Sequence, residues 1–244
     1  MAAPHILLFP TCIVDASSPD LGRATRRVLE RLGYRVTIPS GVTCCGQPAW
    51  NSGFAEEAAS VAATTLDALV GEPDARVCVP AGSCATMMRV YWPELFRIAG
   101  DTDRSTAAGI LAARVREFSE LVTDSGPLVG RYEMRVAYHR SCHMLRELGI
   151  DQGPIDILRS LDGCEIMEWR DDLCCGFGGT FAVKEPEVSV AMADAKIDSF
   201  IASGAEELVG CDKSCLLQME SRMRRRGIDL PVRHLAQVLD EALV

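Results

Sequence analysis

The sequence predicts an α/β protein of two duplicated subdomains, each made of parallel β-α-β units with cysteine loops at the carboxyl edge of its sheet. Three observations predict this. Cysteines recur at one shift: Cys142, Cys174 and Cys175 follow Cys12, Cys44 and Cys45 by 130 residues, and Cys215 follows Cys84 by 131. Short apolar runs alternate with helix-length segments in both halves, the pattern of a parallel sheet with right-handed crossovers. In each half 32 residues separate the first cysteine from the pair, and one strand–helix–strand unit takes about 30. So long a period marks paired subdomains rather than a solenoid, whose repeats run to about 20–50 residues. The expected subdomains are 1–122 and 131–244, joined by the linker TDSGPLVG at 123–130.

The elements follow in order. HILLF (5–9) is a short apolar strand, after which Ser18 and Pro19 open a helix that runs to Leu32 and stops at Gly33, with the cap and first-turn chemistry helices favour. RVTI (35–38) is the second strand. A helix from Phe54 to Val70 follows the first cysteine pair and ends at Gly71, and RVCV (76–79) is the third strand. A helix is expected over 105–122. The second half repeats the plan: MRVAY (134–138), CEIME (164–168) and EELVG (206–210) are strands, with a helix from Pro186 to Ser203 capped by Gly204. Gly163 follows Gly33 at the same shift of 130, and Val232–Leu243 reads as a terminal amphipathic helix.

This layout puts each cysteine just past the carboxyl end of a parallel strand, where open α/β sheets place their ligands. Cys12, Cys44, Cys45 and Cys84 are therefore expected to converge, and so are Cys142, Cys174, Cys175 and Cys215. Cys78 and Cys164 fall inside strands and read as small core residues. His139 and His143 flank Cys142 in YHRSCHM. Either can ligate a metal, hydrogen-bond a sulfur or simply pack, and His143 is the stronger candidate of the two. His234 reads as a satisfied core residue.

Composition narrows the function. A net charge of −9 argues against a nucleic-acid partner, which needs a basic field. The basic run Arg222, Arg224, Arg225 and Arg226 closes a helix, where the dipole favours cations. No apolar stretch approaches the roughly 20 residues of a membrane span. The opening MAAPHILLFPTC lacks the basic start of a signal peptide. Eleven cysteines is an odd number, so the expectation is a cytoplasmic protein with reduced thiols, any membrane association coming through partners. GFGGT lacks the spacing of a dinucleotide fingerprint. A bridge within either vicinal pair is strained, because consecutive Cα atoms lie about 3.8 Å apart. Four thiolates satisfy zinc, but adjacent ligands on one ion make a cramped chelate; zinc stays open for the first repeat. An iron–sulfur cluster relaxes that constraint, although the compact ferredoxin run of cysteines is missing.

The stretches CCGQPAWNSG, SCHM and CCGFGGTFAVK resemble the cysteine-rich CCG-domain family, most closely its lactate-utilisation members. The family also holds a cysteine-rich component of heterodisulfide reductase and the iron–sulfur component of glycolate oxidase. The resemblance implies an iron–sulfur cluster, [4Fe-4S] and of non-cubane form, in each repeat. In the heterodisulfide reductase relative five cysteines serve each cluster. Here PAGSC offers only Cys84, whereas the second repeat has Cys211 and Cys215, which makes Cys211 a candidate fifth ligand. The implied activity is electron transfer within an assembly oxidising L-lactate to pyruvate, with a ferredoxin-like iron–sulfur protein and a further lactate-utilisation subunit as partners. Two other readings stay open, a reductase acting on a disulfide or thiol and a zinc-stabilised scaffold.

Overall fold

The computed structural model describes residues 3–243. The chain forms two compact units, divided between Leu121 and Val122. In the first, β1 (His5–Leu8), β2 (Arg35–Thr37), β3 (Arg76–Val79) and β4 (Val115–Glu117) form a parallel sheet in the order β2-β1-β3-β4. In the second, β5 (Arg131–His139), β6 (Asp162–Ile166), β7 (Glu207–Gly210) and β8 (Val232–His234) form a parallel sheet in the order β6-β5-β7-β8. The duplication is thus one topology used twice.

Each unit is built by amphipathic helices packing on central apolar strands. Helix Pro19–Arg31 buries Leu21, Ala24, Val28 and Leu29 on one face, the spacing of a core-facing stripe. Gly33 and Gly163, 130 residues apart, both take left-handed backbone (φ +87° and +82°), Gly33 just before β2 and Gly163 near the start of β6, a conformation that glycine adopts without the Cβ penalty. Helices Ala55–Val70 and Pro186–Ala202 correspond at a shift of 131, because Ala62, Leu66 and Leu69 match Ala193, Ile197 and Phe200 and all six are fully buried. No helix among the described residues is long and apolar enough to cross a membrane.

The structure places β6 two residues earlier than the expected CEIME, at Asp162–Ile166, and corrects the reading further at a fourth strand in each unit. The helix expected over 105–122 is instead a helix at Thr102–Ala112, strand β4 and a helix at Phe118–Asp124. The terminal helix begins at Leu235, not Val232, because 232–234 is β8. Each fourth strand is a three-residue strand that runs straight into the next helix, so the helical pattern absorbs it in a sequence reading. Glu117 and His234 end these strands, and each caps the helix that follows. Glu117 accepts from Ser119 N at 2.7 Å while its own N–H donates to Glu120 at 2.8 Å. His234 Nδ1 accepts from Ala236 N at 3.1 Å while its N–H donates to Gln237 at 3.0 Å. Both are reciprocal capping boxes with unusual residues in the Ser/Thr place.

Candidate metal centres

In the first unit Cys12 opens helix Cys12–Ser17 just beyond β1, Cys44 and Cys45 lie between β2 and helix Gln47–Trp50, and Cys84 lies in helix Gly82–Thr86 beyond β3. The expected loops are therefore partly first helical turns, still at the carboxyl edge of the sheet. Thr11 enters the turn at φ 70°, the single non-glycine residue with positive φ among the described residues. Such a backbone normally costs energy and persists only where its surroundings hold it. Cys12 Sγ lies 3.5 Å from Cys44 Sγ, and Cys45 Sγ lies 3.2 Å from Cys84 Sγ. Thiolates on one tetrahedral ion would sit about 3.8 Å apart, given metal–sulfur bonds near 2.3 Å. The two sulfur pairs are thus about 0.3 and about 0.6 Å closer than a metal-binding spacing.

The surrounding chain sets those positions. Gly46 has φ +83°, and a Cβ there would fall 2.6 Å from the carbonyl oxygen of Ala58; the loop turns against the helix only because the side chain is missing. Trp92 Nε1 donates to Cys45 O at 2.8 Å, and Gln47 Nε2 donates to Ser83 O at 3.1 Å, tying the pair to the Cys84 helix. Thr65 Oγ1 accepts from Thr43 N and donates to Cys44 O, both at 3.0 Å. Donation from the Cys12 and Cys45 thiols and from Gly46 N–H pulls the Cys44 thiol down to about 3, while Cys12 and Cys45 are pushed up as the donors. One thiolate ringed by thiols is a ready first ligand, and metal binding would release the remaining protons.

The second unit repeats this frame. The Cys142 and Cys175 thiols donate to Cys174 and bring it down to about 2, and Gly176 N approaches its sulfur to 3.4 Å. Gly176 has φ +81°, with a virtual Cβ 2.5 Å from Ser189 O. Where Thr65 steadies the first loop, the second uses Lys196, which is fully buried and donates to Asp171 O at 2.7 Å and Leu173 O at 2.5 Å. Its ammonium also lies 4.9 Å from the centre of the Trp169 ring. A buried cation needs such partners. His139, at the end of β5, has a ring nitrogen within 4.8 Å of the sulfurs of Cys175 and Cys215, all three groups being buried. Burial, and then the Lys196 charge, hold its imidazole well below the usual histidine range.

Eight of the thiols singled out in the sequence thus fall into two sets of four. Cys211 is fully buried one residue beyond β7, where the first unit has Pro80, and lies outside the group of His139, Cys175 and Cys215. His143 is half-buried, its Nδ1 3.8 Å from Cys142 Sγ. Cys78 is fully buried in β3, and Cys164 is half-buried in the edge strand β6. Sequence reasoning ranked His143 above His139 and passed over Lys196 and Thr65. A helix register counted from the second-half shift of 131 would have paired the last two.

Fold and site define a duplicated α/β protein with a thiol cluster suited to metal binding at the carboxyl edge of each sheet. The chain belongs to the CCG family: the model of that family, a cysteine-rich domain, matches residues 6–89 and 136–220. Relatives similar along nearly their whole length include Lactate utilization protein A of an Exiguobacterium species, 40% identical over 244 residues and 98% of both chains. Lactate utilization protein A of a Geobacillus species is 38% identical over 239 residues, 96% of this chain and 98% of the relative. Lactate utilization protein A 2 of Bacillus cereus is 37% identical over 246 residues, 98% of both chains. Among solved structures, that of a hypothetical protein from Helicobacter pylori shares the fold, with a TM-score of 0.65 at 11% identity over 98% of this chain. The chain spans about half of that solved protein, 49%.

Proposed function

We propose that this chain is an iron–sulfur electron-transfer subunit of an assembly that oxidises lactate. The observation that carries the reading is the gathering of two four-thiol sets, each containing a vicinal pair, within a chain whose full-length relatives are named for lactate utilisation. Cys12, Cys44, Cys45 and Cys84 would hold one cluster, and Cys142, Cys174, Cys175 and Cys215 the other, with Cys211 as a further candidate ligand. A bound cluster supplies reversible one-electron transfer. The chain's own residues do the rest. Adjacent cysteines suit a multi-iron group better than one ion, because neighbouring thiolates can bind different irons. Gly46 and Gly176 bring backbone N–H groups to Cys44 and Cys174 sulfur, a contact that would tune the potential of a bound cluster. Buried Cys45, Cys84, Cys175 and Cys215 keep water from one side of each site.

Oxidation of lactate to pyruvate releases two electrons and two protons, chemistry that ordinarily falls to a flavin or nicotinamide. Neither fingerprint is present here, so the substrate-oxidising step is assigned to a partner, and a ferredoxin-like subunit is the class of protein that exchanges electrons with these centres. Anaerobic purification followed by iron, sulfide and zinc analysis tests the first part. A brown protein with roughly four irons per cluster supports it, and a colourless zinc protein overturns it. Lactate oxidation with an artificial acceptor tests the second. No turnover is expected from the single chain and turnover is expected with the assembly; sustained turnover by the chain alone would make it the catalytic subunit.

A further inference from the structure

We infer that His139 is a metal ligand of the second unit, supplying an imidazole nitrogen beside the sulfurs of Cys175 and Cys215, so that this centre has a mixed nitrogen and sulfur ligand set. The first unit, with Phe9 at the matching position, offers sulfur alone.

Four observations converge. A His139 ring nitrogen and the two sulfurs lie within 4.8 Å of one another, so a single ion among them would reach all three after small side-chain rotations. His139 is 1% exposed and neither ring nitrogen has a hydrogen-bond partner. Buried polar atoms are almost always paired, and an unpaired one is costly. The other fully buried histidine, His234, shows the ordinary solution, since its Nδ1 accepts a backbone N–H. His139 is thus the exception within its own chain, and its free nitrogens sit beside thiols.

The pocket around the ring is also built for it. A Cβ on Gly210 would lie 3.3 Å from His139 Cβ, 3.5 Å from its Cδ2 and 3.2 Å from Leu216 Cδ2. Gly210 does not have a left-handed backbone, so the glycine's contribution here is the room it leaves for the ring and for Leu216. The matching residue of the first unit is Val79, with Phe9 at the end of the neighbouring strand. The difference between Phe and Val in one unit and His and Gly in the other is paired across neighbouring strands, and it places a metal-binding ring beside the thiols.

The inference rests on the proposed function only for the identity of the metal. Protein labelled with ¹⁵N-histidine and purified anaerobically is reduced and studied by pulsed EPR. A strongly coupled histidine nitrogen is expected in the wild type and in His143→Gln, and its loss is expected in His139→Phe. A wild type without that coupling, or His139→Phe that retains it, overturns the assignment. The wild-type label gives an answer even if a variant fails to fold. Cobalt(II)-loaded protein gives a second reading independent of iron: a paramagnetically shifted, exchangeable imidazole N–H resonance should be present in the wild type and absent in His139→Phe. Failure to bind iron, with that resonance intact, would sink the iron–sulfur reading while upholding the ligand; iron present with no coupled nitrogen would do the reverse.

Discussion

The two units hold their sulfurs in the same way and surround them with different chemistry. Both use a left-handed glycine after the vicinal pair, pressed on a helix carbonyl (Gly46 on Ala58, Gly176 on Ser189). Both end their fourth strand with a buried residue that caps the next helix. Around the thiols, however, the first unit has Phe9, Thr65 and Val79 where the second has His139, Lys196 and Gly210. The shared features are backbone features, which set where sulfur can stand. The differing ones are side chains near the sulfurs, which set charge and ligand type. Duplication has kept the frame and released the lining, so the two centres are expected to differ in what they bind or at what potential they work.

The largest effects should come from the thiols. Cys174→Ser or Cys175→Ser should remove most of the iron, because the second unit carries the additional thiol and histidines, whereas Cys44→Ser should leave part. Equal iron loss from either unit, measured on anaerobic protein, would break the asymmetry.

A pH effect is expected at the first unit's cap. Burial pushes the Glu117 carboxyl up to about 8, only partly offset by its bonds from Ser119. The folded protein therefore holds a proton that the unfolded chain releases near its ordinary value of 4.5. Stability from this group is full below that point and is lost as pH rises toward about 8, by on the order of a few kcal/mol in all. Glu117→Gln keeps an acceptor for Ser119 N–H. It should flatten the difference in denaturant midpoint between pH 5 and 8, and an unchanged slope would exclude Glu117 as its source.

Gly46→Ala and Gly176→Ala test the common frame, since each places a Cβ within 2.6 Å of a backbone oxygen at positive φ. Each should cost about 3 kcal/mol and lower metal content in its own unit. Thermal unfolding that separates the two costs by more than about 1 kcal/mol would show that the turns are not equivalent.

Lining residues should cost less and unequally. Lys196→Met leaves the carbonyls of Asp171 and Leu173 without donors, a loss of about 2 kcal/mol after the relief of burying a charge is counted. Thr65→Val should cost about 1 kcal/mol, because it removes one neutral donor and acceptor. Equal effects in urea melts would mean that the lysine charge adds nothing. The smallest effects belong to Cys78→Ala and Cys164→Ala, at about 1 kcal/mol or below, with metal content unchanged. A lost cluster with normal folding would move either cysteine into the site.

Much of this was legible in the chain. The repeat of Cys12, Cys44 and Cys45 at 130 residues announced the duplication, and the 32-residue interval announced parallel strands. Both are set by element length, which is a local property: helix and strand rise per residue dictate how far apart successive strand ends fall. The convergence of four thiols per unit follows from that. Strands β4 and β8 were not legible, since three residues between helices carry too little pattern. Nor was the closeness of buried His139 to Cys175 and Cys215, since His139 and His143 stand on either side of the same cysteine. The sequence by itself determined the fold class, the duplication and the thiol sets. The tertiary structure alone decided which side chains line them, because the places of His139, Gly210 and Lys196 depend on strands and helices packed together from distant parts of the chain.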